Sequence, residues 1–168
     1  MRFTAAELAA ALDGQLVGPD TEVTGLAIDS RAVAPGQLFA AVRGERDGHD
    51  FAGAALDAGA GAVLVERPVR QVDDRGAPAT AVVVADVPKA LAELARLART
   101  RLPDRVVGVT GSVGKTTTKD LLATVLSRRY ATAASEKSFN NELGVPLTLA
   151  NVPDGVEAVV VEMGSRGA

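Results

Sequence analysis

The segment that most restricts the fold is TGSVGKTTT, residues 110–118, because an apolar run at 106–110 leads directly into it and a helical pattern leaves it. Strand, glycine turn and helix in that order form the setting in which main-chain amides can wrap phosphate oxygens. Glycines carry no Cβ, so the N–H groups of such a turn can face inward, and the start of the following helix adds its positive dipole end. Gly111, Ser112, Val113, Gly114, Lys115, Thr116 and Thr117 are therefore the expected phosphate-binding residues. Lys115 supplies a mobile charge for the outer phosphates. The hydroxyl of Thr116 stands where it can complete the coordination of Mg2+, a hard cation that takes oxygen ligands. The ligand expected is ATP with Mg2+. The strict spacing would put a glycine five positions before Gly114, where Val109 stands, so the loop is a shortened form. A glycine-rich turn can also serve close strand-to-helix packing, and that alternative stays open at this point.

Around the loop the pattern alternates: a strand over 106–110, a helix over 115–128, a strand near 131–134, a short helix near 144–150 and a strand over 157–162. Such alternation implies crossover connections and a parallel sheet. Ligands of open parallel sheets bind outside the carboxyl ends of the strands, so Glu162, at the end of the last run, should face the same crevice as the loop. There its carboxylate can hold the metal, with a solvated strand-end glutamate as the competing reading. Lys115 and Glu162 are the candidate catalytic residues, and Thr116 and Glu162 the candidate metal ligands.

Upstream, Thr4 and Glu7 make a capping-box pattern for a helix near 5–13, which Gly14 is expected to close with a positive φ. Apolar runs at 23–28, 38–42, 62–65 and 81–84 read as strands, 51–58 as a helix and 67–80 as a loop. Asp86 and Pro88 open a longer helix whose Leu91, Leu94, Ala98 and Leu102 share a face, with Arg96, Arg99 and Arg101 turned to water. Pro103 and Asp104 break it, which sets the expected domain boundary: 1–103, then 104–168. The fold class expected is α/β, a small N-terminal domain followed by the first part of a parallel-sheet phosphate-loop domain.

Composition narrows the function classes. Aromatics make up only 3% of the chain, so the core has to be built from Ala, Val and Leu. Eighteen Lys and Arg against 21 Asp and Glu leave no basic field for nucleic acid or for an anionic membrane. Without cysteine there are no disulfides, thiolate metal sites or cysteine nucleophiles, and no apolar run reaches membrane-spanning length, so a cytoplasmic location is expected.

Three segments resemble the Mur ligases of peptidoglycan synthesis: DSRAVAPGQLFAAVRGERDGHDF at 29–51, TGSVGKTTTKDLL at 110–122, and SFNNELGVPLTL at 138–149 followed by VVVEMG at 159–164. The first is similar to the family's uridine-nucleotide domain and the second to its shortened phosphate loop. The Asn-Asn-Glu of the third is similar to the branch that joins D-alanyl-D-alanine to UDP-N-acetylmuramoyl-tripeptide, where the branch adding the third amino acid would carry Asn-Thr-Thr. The resemblance implies that ATP phosphorylates the tripeptide's terminal carboxylate and that the amine of D-alanyl-D-alanine attacks the acyl phosphate.

By position, the same resemblance implies that Ser30 and Arg31 lie at the uridine end of the substrate, Glu45 and Arg46 near its diphosphate, and Asn140, Asn141 and Glu142 near the muramoyl peptide. It also implies a monomer of about three domains, of which this chain would hold the first and part of the second, inactive by itself and with its last strand short of partners. Bland readings stand beside these. Asp29-Ser30-Arg31 can be an Asx turn, the asparagine pair a helix cap, and His49 a surface or packing residue with no catalytic task. Two other classes remain: a non-catalytic module that binds the UDP substrate, and an unrelated phosphate-loop ATPase or GTPase.

Overall fold

A computed structural model describes residues 1–70, 78–136 and 141–164. The chain forms two compact units, Arg2–Leu94 and Ala95–Ala168, the latter together with Met1. The division falls inside the helix Val87–Thr100 rather than after it at Pro103. Val87, Leu91 and Leu94, in the first half of that helix, and Ala98 in the second are buried.

The first unit begins with β1 (Arg2–Thr4), α1 (Ala5–Ala11), β2 (Gln15–Val17), β3 (Glu22–Thr24) and β4 (Leu26–Ala27). It continues with β5 (Leu38–Ala40), α2 (Ala52–Asp57), β6 (Ala62–Val65), β7 (Ala81–Val83) and α3 (Val87–Thr100). Thr4 caps α1 as its sequence pattern requires, its Oγ1 accepting the Glu7 N–H at 3.1 Å. The closing residue differs from expectation. Asp13 takes the positive φ of 52°, whereas Gly14 is needed for space, since a Cβ there would lie 2.9 Å from the Val83 carbonyl oxygen.

The single strand expected over 23–28 is two strands. Gly25, at a φ of 81°, turns the chain out of an antiparallel pairing of β3 with β1 and into a parallel pairing of β4 with β5. The main sheet runs β2-β7-β6-β5-β4, parallel throughout except for β2. Its core is Phe39, Ala41, Ala52, Ala55, Val63, Val65 and Ala81, in which every side chain but Phe39 is alanine or valine. The middle of the expected 67–80 loop, residues 71–77, lies outside the described residues.

The second unit holds β8 (Arg105–Val109), α4 (Lys115–Leu126), β9 (Thr132–Ala134), α5 (Gly144–Ala150) and β10 (Ala158–Glu162). All its pairings are parallel, in the order β8-β10-β9, with Val160 opposite both Val107 and Ala134. The expectation of an under-partnered last strand is thereby corrected. β10 is the central strand, buried along its whole length, and the sheet edges are β8 and β9.

Candidate functional site

In the second unit, β8 and α4 are joined by the turn that runs from Thr110 to Gly114. Gly111 has a φ of 147° and Gly114 one of 77°, values that side chains with a Cβ rarely adopt. Crowding is not what selects them. A Cβ on Gly114 would meet nothing within 4 Å, and one on Gly111 only the Val113 carbonyl oxygen at 3.9 Å. The close-packing explanation of these glycines therefore fails, and what remains is an open turn whose main chain is shaped by positive φ. Lys115 opens α4, and its Nζ donates to the Gly111 carbonyl at 2.8 Å, folding the ammonium back across the turn.

Glu162, the last residue of β10, is only 1% exposed, so it is not a solvated strand-end carboxylate. Its Oε2 accepts the Thr116 hydroxyl at 2.9 Å, which brings together three residues singled out from sequence, Lys115, Thr116 and Glu162, at one end of a parallel sheet. A hydroxyl and a carboxylate side by side suit a small hard cation that keeps the rest of its shell as water or phosphate oxygens. Among the described residues no three His, Cys, Asp or Glu side chains cluster, so a cation caged by such side chains alone has no place there.

Sequence reasoning missed the groups behind this pair. Lys119 is 4% exposed, and its Nζ donates to the Ser135 carbonyl at 2.7 Å while pairing with Asp120 Oδ1 at 3.0 Å. Ser135, just after β9 and 2% exposed, accepts the Glu162 N–H on its Oγ at 3.0 Å and the Thr148 hydroxyl at 3.3 Å. The one available signal was the position of Lys119 three residues beyond Thr116, which puts both on one helical face. Asn140 lies outside the described residues. The Asn141 Oδ1 accepts the Gly144 N–H at 2.8 Å and that of Leu143 at 3.2 Å, which closes the turn leading into α5, whose own N-cap, Leu143, makes no side-chain cap bond. Glu142 is exposed.

In the first unit Ser30 begins a single 3-10 turn, and Asp29 caps it by accepting the Arg31 N–H at 3.0 Å. The Arg31 guanidinium also grips Asp29, with Nε to Oδ1 at 2.9 Å and Nη2 to Oδ2 at 2.7 Å. These bonds, the side-chain one foremost, hold the Asp29 carboxyl down at about 2. Glu45 and Arg46 sit on an exposed loop, Arg46 with its guanidinium 4.9 Å from the centre of the Phe51 ring.

The base of that loop is tied down. Gly48 donates to the Val42 carbonyl at 3.1 Å, in a space where a Cβ would run into the backbone of Val42. His49 has the packing role: it is buried, its Nε2 accepts the Glu66 N–H at 2.8 Å and its Nδ1 faces Asp47 Oδ1 at 2.7 Å. The bond from Glu66 leaves the ring proton on Nδ1. The His49 main-chain N–H, followed by its ring, holds the Asp47 carboxyl well below the usual range.

Comparison with known proteins matches both units. Residues 22–99 fit the description "Mur ligase family, catalytic domain", and residues 109–168 fit "Mur ligase middle domain". The chain is 40% identical over 164 residues to the UDP-N-acetylmuramoyl-tripeptide--D-alanyl-D-alanine ligase of Escherichia coli, covering 97% of itself and 35% of that protein. With the Bacillus subtilis ligase of the same name it shares 41% over 168 residues, covering 98% of itself and 36% of the relative. Among solved structures, MurF from Acinetobacter baumannii superposes with a TM-score of 0.84 at 34% identity, over 98% of this chain and 36% of that one. MurF ligase from Thermotoga maritima in complex with ADP gives 0.69 at 37% identity, over 84% of this chain and 32% of that one. The chain thus spans about a third of the length of these relatives. With both units matched and two fifths of its residues shared with proteins of one name, the chain belongs to the Mur ligase family, on its MurF-type branch.

Proposed function

We propose that this chain provides the nucleotide-binding loop and the uridine-nucleotide domain of a cytoplasmic ligase that joins D-alanyl-D-alanine to UDP-N-acetylmuramoyl-tripeptide. The observation that carries the reading is the contact of Thr116 with buried Glu162 beside the open glycine turn. The identities to ligases of that name support the substrate class, and the ADP complex of the Thermotoga maritima relative supports an adenine nucleotide. Because the chain spans about a third of those proteins, the reaction belongs to the whole ligase and this chain's share is to bind and orient.

A carboxylate is a poor electrophile, and ATP supplies the phosphoryl group that turns its oxygen into a leaving group for the attacking amine. This chain's residues prepare that transfer. The N–H groups of residues 111–117 and the start of α4 face the polyphosphate, and Lys115 exchanges its bond to the Gly111 carbonyl for one to the outer phosphates. Thr116 and Glu162, already in contact, would hold Mg2+, which when bound would offset negative charge on the phosphates. The first unit would hold the UDP end through Ser30, Arg31, Glu45 and Arg46, and the second the nucleotide, with Asn140, Asn141 and Glu142 toward the peptide. Arg31 must then loosen its grip on Asp29 or bind with the ion pair intact.

Calorimetric titration of the chain with ATP and Mg2+ tests this. Lys115→Ala should weaken binding by about tenfold or more, since a hydrogen bond to a charged group contributes about 1.5–3 kcal/mol. The fold should survive, because the side chain's bond, to the Gly111 carbonyl, lies within its own turn. An unchanged dissociation constant would overturn the reading. A second reading, a UDP-substrate module without nucleotide chemistry, is favoured by the separate core of Arg2–Leu94. Heat on adding UDP-N-acetylmuramoyl-tripeptide, with none on adding ATP, would select it.

A further inference from the structure

Glu162 can serve as a metal ligand only if its backbone is held while its carboxylate is presented. On one side β8 does this, Glu162 pairing with Val109 and the Met163 N–H donating to the Val109 carbonyl at 2.9 Å. On the other side the ladder stops, since the last β9 partner is Ala134, opposite Val160. Two residues further along, the Glu162 N–H would be a buried donor beyond the reach of that strand. The Ser135 Oγ takes it instead, at 3.0 Å. Ser135 is itself fixed three ways: its N–H donates to the Val160 carbonyl at 2.9 Å, its Oγ accepts the Thr148 hydroxyl at 3.3 Å, and its carbonyl accepts Lys119 Nζ at 2.7 Å.

Lys119 is one turn beyond Thr116 on the inner face of α4. A buried ammonium is costly, and long side chains with apolar stems could fill this space without that cost. The ammonium donates to a main-chain carbonyl after β9 and pairs with Asp120. What the bond achieves is a fixed spacing between the helix that carries Thr116 and the serine that holds Glu162.

We infer that Ser135 and Lys119 are positioning residues for the metal end of the nucleotide site: Lys119 ties α4 to the end of β9, and Ser135 holds the Glu162 backbone so that its carboxylate meets Thr116. The inference rests on the nucleotide reading above. Residues that orient a metal ligand typically change metal affinity by about 10–100-fold when removed, whereas plain packing residues change stability alone.

The test uses the chain with Ser135→Ala, Ser135→Thr and Lys119→Met, each followed by calorimetric ATP titration with Mg2+ and with a chelator. Amide exchange at Glu162 is measured by NMR without nucleotide or metal. In Ser135→Ala the gain in ATP affinity that Mg2+ confers should fall by about tenfold, with affinity in chelator within about twofold of the parent, and the Glu162 amide should exchange at least about tenfold faster. Ser135→Thr, which keeps the hydroxyl, should restore both, and Lys119→Met should reproduce the loss of the Mg2+-dependent gain. Equal weakening with and without Mg2+ would mean general destabilisation and overturn the inference, as would an unchanged Mg2+ effect in Ser135→Ala. Absence of ATP binding by the parent chain would overturn the nucleotide reading itself, a result distinguishable from either of these.

Discussion

Asp29 shows how one side chain can be committed twice. Its carboxylate accepts the Arg31 main-chain N–H and also the Arg31 guanidinium, so the ionised form is favoured and its folded titration lies at about 2 in place of the ordinary 3.8. A depressed carboxyl adds stability above the unfolded value, and that contribution is lost as pH falls from about 3.8 through about 2. Carboxyl carbon NMR should place the Asp29 midpoint near 2, and Arg31→Ala should move it most of the way back toward 3.8. A midpoint that ignores the arginine would refute the pairing. Because the pair is exposed, salt should weaken it. Under the proposed function, a substrate oxygen that recruits Arg31 competes with Asp29, so UDP-substrate binding should raise the Asp29 midpoint.

Elements differ in how far neighbouring residues dictate them. α1 depends on a local device, and Thr4→Ala should cost about 1 kcal/mol of stability in chemical denaturation, whereas Thr4→Ser should be nearly neutral. The glycine turn, α5 and β6 were legible in the sequence for the same reason: their signals sit within a few residues, and α5 occupies Gly144–Ala150 where the pattern placed a helix over 144–150. β1 and β2 were not, because three residues carry no readable period and each exists through a distant partner, Phe3 opposite Val23 and Leu16 opposite Val82. The break at Gly25 escaped notice since an apolar run does not reveal that its halves join different sheets. At the site, Lys115 and Thr116 follow from the turn itself. The burial of Glu162 and the roles of Ser135 and Lys119 come from packing between segments 16 to 46 residues apart, which no local pattern encodes. Asn141 could cap or bind by composition, and its side chain bonds the turn that leads into α5.

At the scale of the whole molecule, the two units handle apolar surface differently. The first buries Ala52 and Ala55 of α2 in its core, while on the second Leu121 is 63% exposed and Val125 67%, one turn apart on α4. Adjacent exposed aliphatic side chains on a helix favour association. Replacing both, Leu121→Glu with Val125→Lys, should raise the monomer fraction in light scattering at high concentration and leave ATP affinity unchanged; an unaltered size distribution would count against this face as the source of self-association. The order β8-β10-β9 has a further outcome for biosynthesis. Two strands made early are separated by the one made last, so neither has a neighbour in its sheet until the ribosome has released about fifty residues beyond β8. The nascent glycine turn therefore waits, solvated and without its carboxylate, and any chaperone that shields this unit has to act before the valines of β10 slot home.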